Sequence, residues 1–485
     1  MLRSILILCI LPCLLAAAPA QASPMPPSFA DLVDKLSPAV VNVSTEQKVK
    51  AGAPGLMPFP DLPDTPEFEP FRQFFNQFNN NQDKETPHEV YSLGSGFIID
   101  ASGYIVTNNH VIDDADEITV TLPDKSKYKA KIIGRDKKTD LALLKVDAKK
   151  PLPYVTFGDS DAMRVGDWVI AIGNPYGLGG SVTQGIISAR QRNINSGPFD
   201  DFLQTDAAIN RGNSGGPLFN EKGEVIGINT AIFSPSGGSI GIGFAIPAAV
   251  AGPVIKQIKK YGRTHRGWLG VKIQDVSDEA AESVGLPKSE GALVIEITPG
   301  SPAEKAGLKA GDVITSYNGH DLSEMRFLPR LVAETKIGAS VPLTFWRDNE
   351  AKTITVTVGE LKESEDGSAA EGASGKESGS KKGSETIIGL GLAPLTAPLR
   401  DELGLGAKQE GLAVLDVAGD SEAAKAGMRA GDVILDVNGG PTHTVAEFRK
   451  ALETARKAGR KYALVKVMQD KDTAFVALPT SEGKK

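Results

Sequence analysis

The C-terminal half of the chain repeats itself at a fixed offset of 120 positions, and this restricts the fold more than any other feature. Gly291-Ala292-Leu293-Val294 returns as Gly411-Leu412-Ala413-Val414, and Ser301-Pro302-Ala303-Glu304-Lys305-Ala306-Gly307 as Ser421-Glu422-Ala423-Ala424-Lys425-Ala426-Gly427. Gly311-Asp312-Val313-Ile314 matches Gly431-Asp432-Val433-Ile434, and Asn318-Gly319 matches Asn438-Gly439. An ungapped match of this kind means one module present twice. Between the copies, residues 362–385 form a Glu/Ser/Gly/Lys tract without a large apolar side chain. Such a tract builds no core and is read as a flexible tether. About 24 residues at ~5–6 Å × √n reach about 27 Å, so the second module is expected to swing widely relative to the first.

With 485 residues the chain exceeds a single core and should form about three domains. Met1-Leu2-Arg3, the apolar run from Ser4 to Ala18 and Ala20-Gln21-Ala22 have the charged start, hydrophobic middle and small-x-small end of a secretory signal peptide, residues 1–22. The run is shorter than the ~20 apolar residues that span a bilayer, so no stable membrane anchor is expected. Both cysteines, Cys9 and Cys13, fall inside this segment. The mature chain then has no thiol to oxidise or mispair, which suits the periplasm. The formal charge of -7, with acidic and basic residues interspersed, offers no stripe for a polyphosphate backbone and argues against nucleic acid as a partner.

From Val90 to about Pro247 the sequence reads as short β-rich runs: Ser95 to Ile99, Ile105 to Thr107, Ile118 to Leu122, Leu141 to Val146, Trp168 to Ile172, Val182 to Ala189 and Val225 to Thr230. Close spacing and turns at 100–103 and 221–224 predict an antiparallel barrel or sandwich rather than βαβ units. A helix is predicted over Phe29 to Leu36, ended by Pro38. Residues 46–89 turn to Pro, Phe, Asn and Gln, with Phe68, Phe71, Phe74, Phe75 and Phe78 close together. This predicts a long loop whose aromatics contact another subunit or the active site.

Gly212-Asn213-Ser214-Gly215-Gly216-Pro217 mounts a serine between glycines, which is poor secondary structure and a good seat for a nucleophile. A Gly-rich turn between strands has the same spelling, so the reading depends on partners. A serine hydroxyl needs a base and a group that orients the base. Of His88, His110, His265, His320 and His443, only His110 stands at a strand end within the β-rich region, in Thr107-Asn108-Asn109-His110-Val111. Asp140 directly precedes the apolar run Leu141-Ala142-Leu143-Leu144 and is placed to be pinned against an imidazole. Gly-x-Ser-x-Gly also fits the α/β-hydrolase elbow, but that fold runs serine, acid, histidine and follows the serine with a helix. Here the order is His110, Asp140, Ser214, and a hairpin follows the serine.

These motifs, with Thr205-Asp206 before the serine stretch and Gly241-Ile242-Gly243-Phe244-Ala245-Ile246-Pro247 after it, resemble the chymotrypsin-like serine proteases of the HtrA (Deg) type. The resemblance covers essentially the whole mature chain. It implies a mainly β fold: a double β-barrel protease domain (23–255) followed by two α+β PDZ domains (256–361 and 386–485) joined by the linker 362–385. It further implies His110 as general base and acid, Asp140 as its orienter, Ser214 as nucleophile, and the N–H groups of Gly212 and Ser214 as the oxyanion hole.

The same resemblance places the S1 pocket along Ile209, Asn210 and Arg211 and the strand with Ile228, Asn229 and Thr230. Trp268-Leu269-Gly270-Val271 is similar to the carboxylate-binding loop of a PDZ domain; its counterpart by offset, Leu390-Gly391-Leu392, sits one residue out of register. Arg192 falls where the family has a sensor loop. The implied activity is ATP-independent periplasmic endopeptidase action on unfolded exported proteins, with peptide C-termini captured by PDZ domains. A homo-oligomer of trimers or their multiples and chaperone activity are implied too, and no metal or cofactor is.

Overall fold

The computed structural model describes residues 28–49, 88–361 and 385–481, apart from 114, 175–179, 195, 198, 211, 236–237 and 471. The signal peptide, the interior of the 46–89 loop with its phenylalanines, the tether up to 384, and Arg211 lie outside the described residues.

Six strands, β1 (Val40–Val49), β2 (His88–Ile98), β3 (Tyr104–Thr107), β4 (Glu117–Thr121), β5 (Lys127–Asp136) and β6 (Leu141–Val146), close a first barrel in the order β1-β2-β3-β6-β5-β4. A second barrel follows from β7 (Trp168–Gly173), β8 (Ser181–Arg192), β9 (Phe202–Thr205), β10 (Pro217–Phe219), β11 (Val225–Ile232) and β12 (Gly243–Pro247), in the order β10-β11-β12-β9-β8-β7. β1 and β2 pair from Val40 with Phe97 out to Val49 with His88, so strand extends into both ends of the segment expected to be loop.

The two barrels share a core. Phe97, Val106, Leu141 and Leu143 of the first pack against Ile170, Ile172, Phe219, Val225, Ile228 and Ile246 of the second. Burying one such side chain fully is worth about 1.5–3 kcal/mol, so the cleft between the barrels is held by a large apolar contact. The N-terminal helix Ala30–Leu36 adds Leu36, and the helix Ala248–Tyr261 adds Ala251, Ile255 and Ile258. That second helix crosses the boundary drawn at 255, and its Ile258 belongs to the core of the first domain.

Two further modules follow. The first module has β13 (Gly267–Trp268), β14 (Val271–Gln274), β15 (Ala292–Ile297), β16 (Val313–Tyr317), β17 (His320–Asp321), β18 (Ser340–Arg347), β19 (Glu350–Thr357) and β20 (Gly359–Glu360). Its main sheet runs β14-β15-β16-β18-β19, while β13 pairs with β20. The second has β21 (Glu385–Ile387), β22 (Leu390–Pro394), β23 (Leu412–Val417), β24 (Val433–Val437), β25 (Gly440–Pro441), β26 (Tyr462–Gln469) and β27 (Asp472–Pro479), in the order β21-β22-β23-β24-β26-β27.

In this structure the second module packs on the first. Leu464 and Phe475 of the second are buried in one cluster with Val276, Ala280, Ala281, Leu293, Ile295 and Val313 of the first. Gln274 bonds the main chain of Phe475 twice, at 3.0 Å to its carbonyl and 2.8 Å from its N–H, and Arg460 donates to Ser283 O at 2.8 Å. The composition of the tether fixes how far the second module could travel, whereas its position is set by apolar residues on faces that the repeat alone does not distinguish. Among the described residues, no helix is long and apolar enough to cross a membrane.

Candidate active site

β6 is apolar at every early position because it is buried on both faces. Leu141 and Leu143 face the core between the barrels, and Ala142 and Leu144 the interior of the first barrel. This anchors the turn just before it, where Asp140 has φ +52, a left-handed conformation that Asp tolerates better than most side chains. The Asp140 carbonyl accepts from Asn109 N at 3.1 Å and from Asn108 Nδ2 at 2.8 Å, which ties the turn to the short helix Asn109–Ile112.

The carboxylate is then aimed by that helix. Asp140 Oδ1 accepts from His110 N at 2.9 Å, and Oδ2 lies 2.7 Å from His110 Nδ1. Thr230 Oγ1, on β11, donates to the same Oδ2 at 2.7 Å. With Nδ1 donating to Asp140, Nε2 is the imidazole atom able to accept a proton.

Ser214 comes from the second barrel and is stitched to the first. Ser95 N donates to Ser214 O at 2.8 Å, and Ser95 Oγ donates to Gly212 O at 2.5 Å. Thr107 Oγ1 in turn donates to Ser95 O at 2.8 Å. Gly215 has φ +83, and a Cβ there would stand 2.2 Å from Ser95 O and 2.4 Å from Thr107 Oγ1, so only glycine fits. Ser214 Oγ lies 3.4 Å from Thr230 O. Among the described residues, the main-chain N–H groups of Gly212 and Ser214 donate to no other group.

The expected substrate-pocket residues separate. Ile209 is buried, Asn210 Oδ1 accepts from Ser239 N at 3.0 Å, and Arg211 lies outside the described residues. The Ile228 side chain points into the core between the barrels and Asn229 is fully buried, so neither lines the cleft with its side chain. Thr230 is engaged by Asp140. Arg192 donates to Gln204 Oε1 at 2.9 Å within its own domain. Contact with the first module is made by its neighbour: Gln191 O accepts from Arg326 Nη1 at 2.6 Å, and Arg330 pairs with Asp201. Burial pushes the Asp201 carboxyl above its ordinary range, more than Arg330 opposite pulls it down.

A second junction lies behind the Asp140 turn. Asp136, at the end of β5, and Arg266, just before β13, are both buried and joined by a two-pronged ion pair. Burial acts to raise the Asp136 pKa, but the Arg266 guanidinium and the Thr139 hydroxyl hold it below the ordinary carboxylate range. Thr139 adjoins Asp140, so the chain entering the first module is locked to the turn that carries the acid. Gln191, Asp201, Arg266 and Arg330 were not singled out in the sequence, which holds no local signal for contacts spanning more than 100 residues.

In the first module, Gly270 has φ +79 and its carbonyl accepts from Thr298 N at 2.9 Å; Leu269 is buried and its carbonyl accepts from Ala303 N at 2.9 Å. Trp268 pairs with Gly359, and Val271 opens β14. The outer edge of β14 carries no strand among the described residues, and the helix Phe327–Glu334 packs on the same core.

Comparison with known proteins agrees with this layout. Residues 94–228 match the trypsin-like peptidase domain family, and residues 267–358 and 414–459 match PDZ domain families. The chain is 45% identical over 480 residues to a probable periplasmic serine endoprotease DegP-like from Brucella melitensis, covering 95% of this chain and 91% of that protein. It is 43% identical to the protein of the same description from Rhizobium meliloti, covering 95% and 93%. Among solved structures, the HtrA-type protease AlgW with decapeptide matches at a TM-score of 0.57 and 41% identity, over 70% of this chain and 100% of that one. The chain belongs to the periplasmic DegP-like serine endoproteases of the HtrA type, built as a trypsin-like peptidase domain followed by two PDZ domains.

Proposed function

We propose that the peptidase domain cleaves unfolded exported polypeptides through His110, Asp140 and Ser214. His110 Nε2 takes the Ser214 hydroxyl proton as the oxygen attacks the scissile carbonyl, then returns it to the leaving amine. Asp140 holds the ring with Nδ1 toward itself and balances the imidazolium charge. The N–H groups of Gly212 and Ser214 receive the oxyanion; each such donor is worth about 10²–10³ in turnover. The observation that carries this reading is the 2.7 Å contact of His110 Nδ1 with Asp140 Oδ2, beside a serine turn bonded across the cleft through Ser95.

The first PDZ domain captures chain ends, which add as a strand to β14 with their carboxylate at the Gly270 turn. The decapeptide complex of the HtrA-type relative supports this. Selection for unfolded substrates follows from binding in extended form, since a strand enters the cleft between the barrels and a folded domain must first open. Assembly as trimers or their multiples and a chaperone role belong to the same reading, supported by the family resemblance. Casein digestion by the wild type and by Ser214→Ala tests the enzyme reading. Loss of digestion in the variant is expected, and equal digestion by both overturns it. Suppression of aggregation retained by Ser214→Ala would support the chaperone role.

A further inference from the structure

The two PDZ domains differ at their ligand edges. In the second, the glycine equivalent to Gly270 is Gly389, not Gly391. A Cβ on Gly270 would meet the Ser301 Cβ at 2.3 Å, and one on Gly389 would meet the Ser421 Cβ at 2.3 Å. The Gly270 carbonyl accepts from Thr298 N at 2.9 Å, and that of Gly389 from Ala418 N at 2.8 Å. Ile387-Ile388-Gly389-Leu390 therefore stands where Trp268-Leu269-Gly270-Val271 stands in the first domain.

The chain before the glycine takes a different course in each. In the first domain β13 leaves to pair with β20, and the outer edge of β14 stays open among the described residues. In the second, Ile388 (φ +47) and Gly389 (φ +83) are both left-handed, the signature of a type I′ hairpin turn. It folds Glu385–Ile387 back antiparallel on β22, pairing Ile387 with Leu390, Thr386 with Gly391 and Glu385 with Leu392. A β-branched residue is rare in that conformation. Ile388 is held there by burial in the core of the second domain, where Ile387 also packs. β21 thus lies on the edge of β22, in the position and direction of a captured chain end, with the Ile387–Ile388 peptide bond where the end's carboxylate would sit.

We propose that Glu385–Ile387 is a built-in ligand of the second PDZ domain. While the hairpin is closed, this domain accepts no peptide terminus, and capture falls to the first domain alone. Opening the hairpin exposes a second capture edge at the end of the tether. The proposal rests on the reading that the first domain captures chain ends, but hydrogen exchange tests it independently of that reading.

The experiment uses the mature full-length chain carrying Ser214→Ala, with amide exchange over residues 388–394 read by mass spectrometry. Residues flanking a two-residue turn exchange both main-chain hydrogen bonds, so Ile387→Pro removes one of them. Exchange over 388–394 is expected to quicken at least ~10-fold in Ile387→Pro, with β26 and β27 unchanged. Unchanged exchange over 388–394 overturns the proposal. Should Ile387→Pro unfold the domain, the pair Thr386→Cys and Gly391→Cys replaces it, in a mature chain expected to have no other thiol. Disulfide formation under mild oxidation supports the closed hairpin, and failure to form it counts against the proposal. A fluorescein-labelled octapeptide ending in Val-Val-Ala, with a free carboxylate, then reports capture: no binding by wild type contradicts the capture reading and leaves the exchange result standing.

Discussion

Thr230 Oγ1, on a strand of the second barrel, lies 2.7 Å from Asp140 Oδ2, on a turn of the first. The acid that orients His110 is therefore itself held from across the cleft. A hydrogen bond to a charged group contributes about 1.5–3 kcal/mol. Thr230→Val is expected to lower kcat about 10- to 100-fold on a peptide substrate with KM little changed, and Thr230→Ser to restore most of it. Equal kcat in Thr230→Val and wild type would contradict the role.

The Gly215 position leaves no room for a side chain, because Ser95 O and Thr107 Oγ1 close over it. Gly215→Ala is expected to destabilise the fold by about 1–3 kcal/mol in denaturant unfolding and to abolish hydrolysis by moving the serine turn. Gly238→Ala, where a Cβ meets nothing within 4 Å among the described residues, is expected to stay within about 0.5 kcal/mol of wild type.

Asp136 and Arg266 form a buried pair, so removing one partner strands the other. Asp136→Asn is expected to cost about 3–5 kcal/mol at neutral pH. The Asp136 pKa is lowered in the folded state. Its contribution is therefore present above the unfolded value of 3.8 and is lost as pH falls through the lower folded value. Urea unfolding of wild type and variant between pH 7 and pH 2 checks the sign: the gap between them should narrow only at the acid end.

Phe475 joins the two PDZ domains through a shared apolar cluster. Phe475→Ala is expected to release the second domain onto its tether, seen as a larger maximum dimension in small-angle scattering. Unchanged scattering would mean that the polar contacts at Gln274 and Arg460 suffice.

Much of this was legible in the sequence for physical reasons. Leu141-Ala142-Leu143-Leu144 marked a strand buried on both faces, and the acid before it had to be held by something. The 120-residue offset revealed the duplication, because paired glycines recur where the chain turns. The hairpin after the serine is β10 with β11, whereas β5 was missed since its lysines alternate with residues that remain partly exposed. Ile228 was expected on the pocket wall, but it packs in the core, and the register shift of β11 against β12 between Asn229 and Ala231 breaks the alternation at Thr230, which faces Asp140. Matching Gly270 with Gly391, 121 positions on, missed that the I′ hairpin shortens the path and puts Gly389, 119 positions on, in that place. Long-range junctions such as Arg266 with Asp136 depend on the closed fold and have no local signature.

The central claim is that Ser214 is a nucleophile activated by His110. A fluorophosphonate reacts with such a serine, and mass spectrometry of the labelled protein locates the adduct. The account predicts an adduct on Ser214 in the wild type, slowed at least ~1000-fold in His110→Ala and absent in Ser214→Ala. An unlabelled Ser214, or labelling at an equal rate in wild type and His110→Ala, would contradict it.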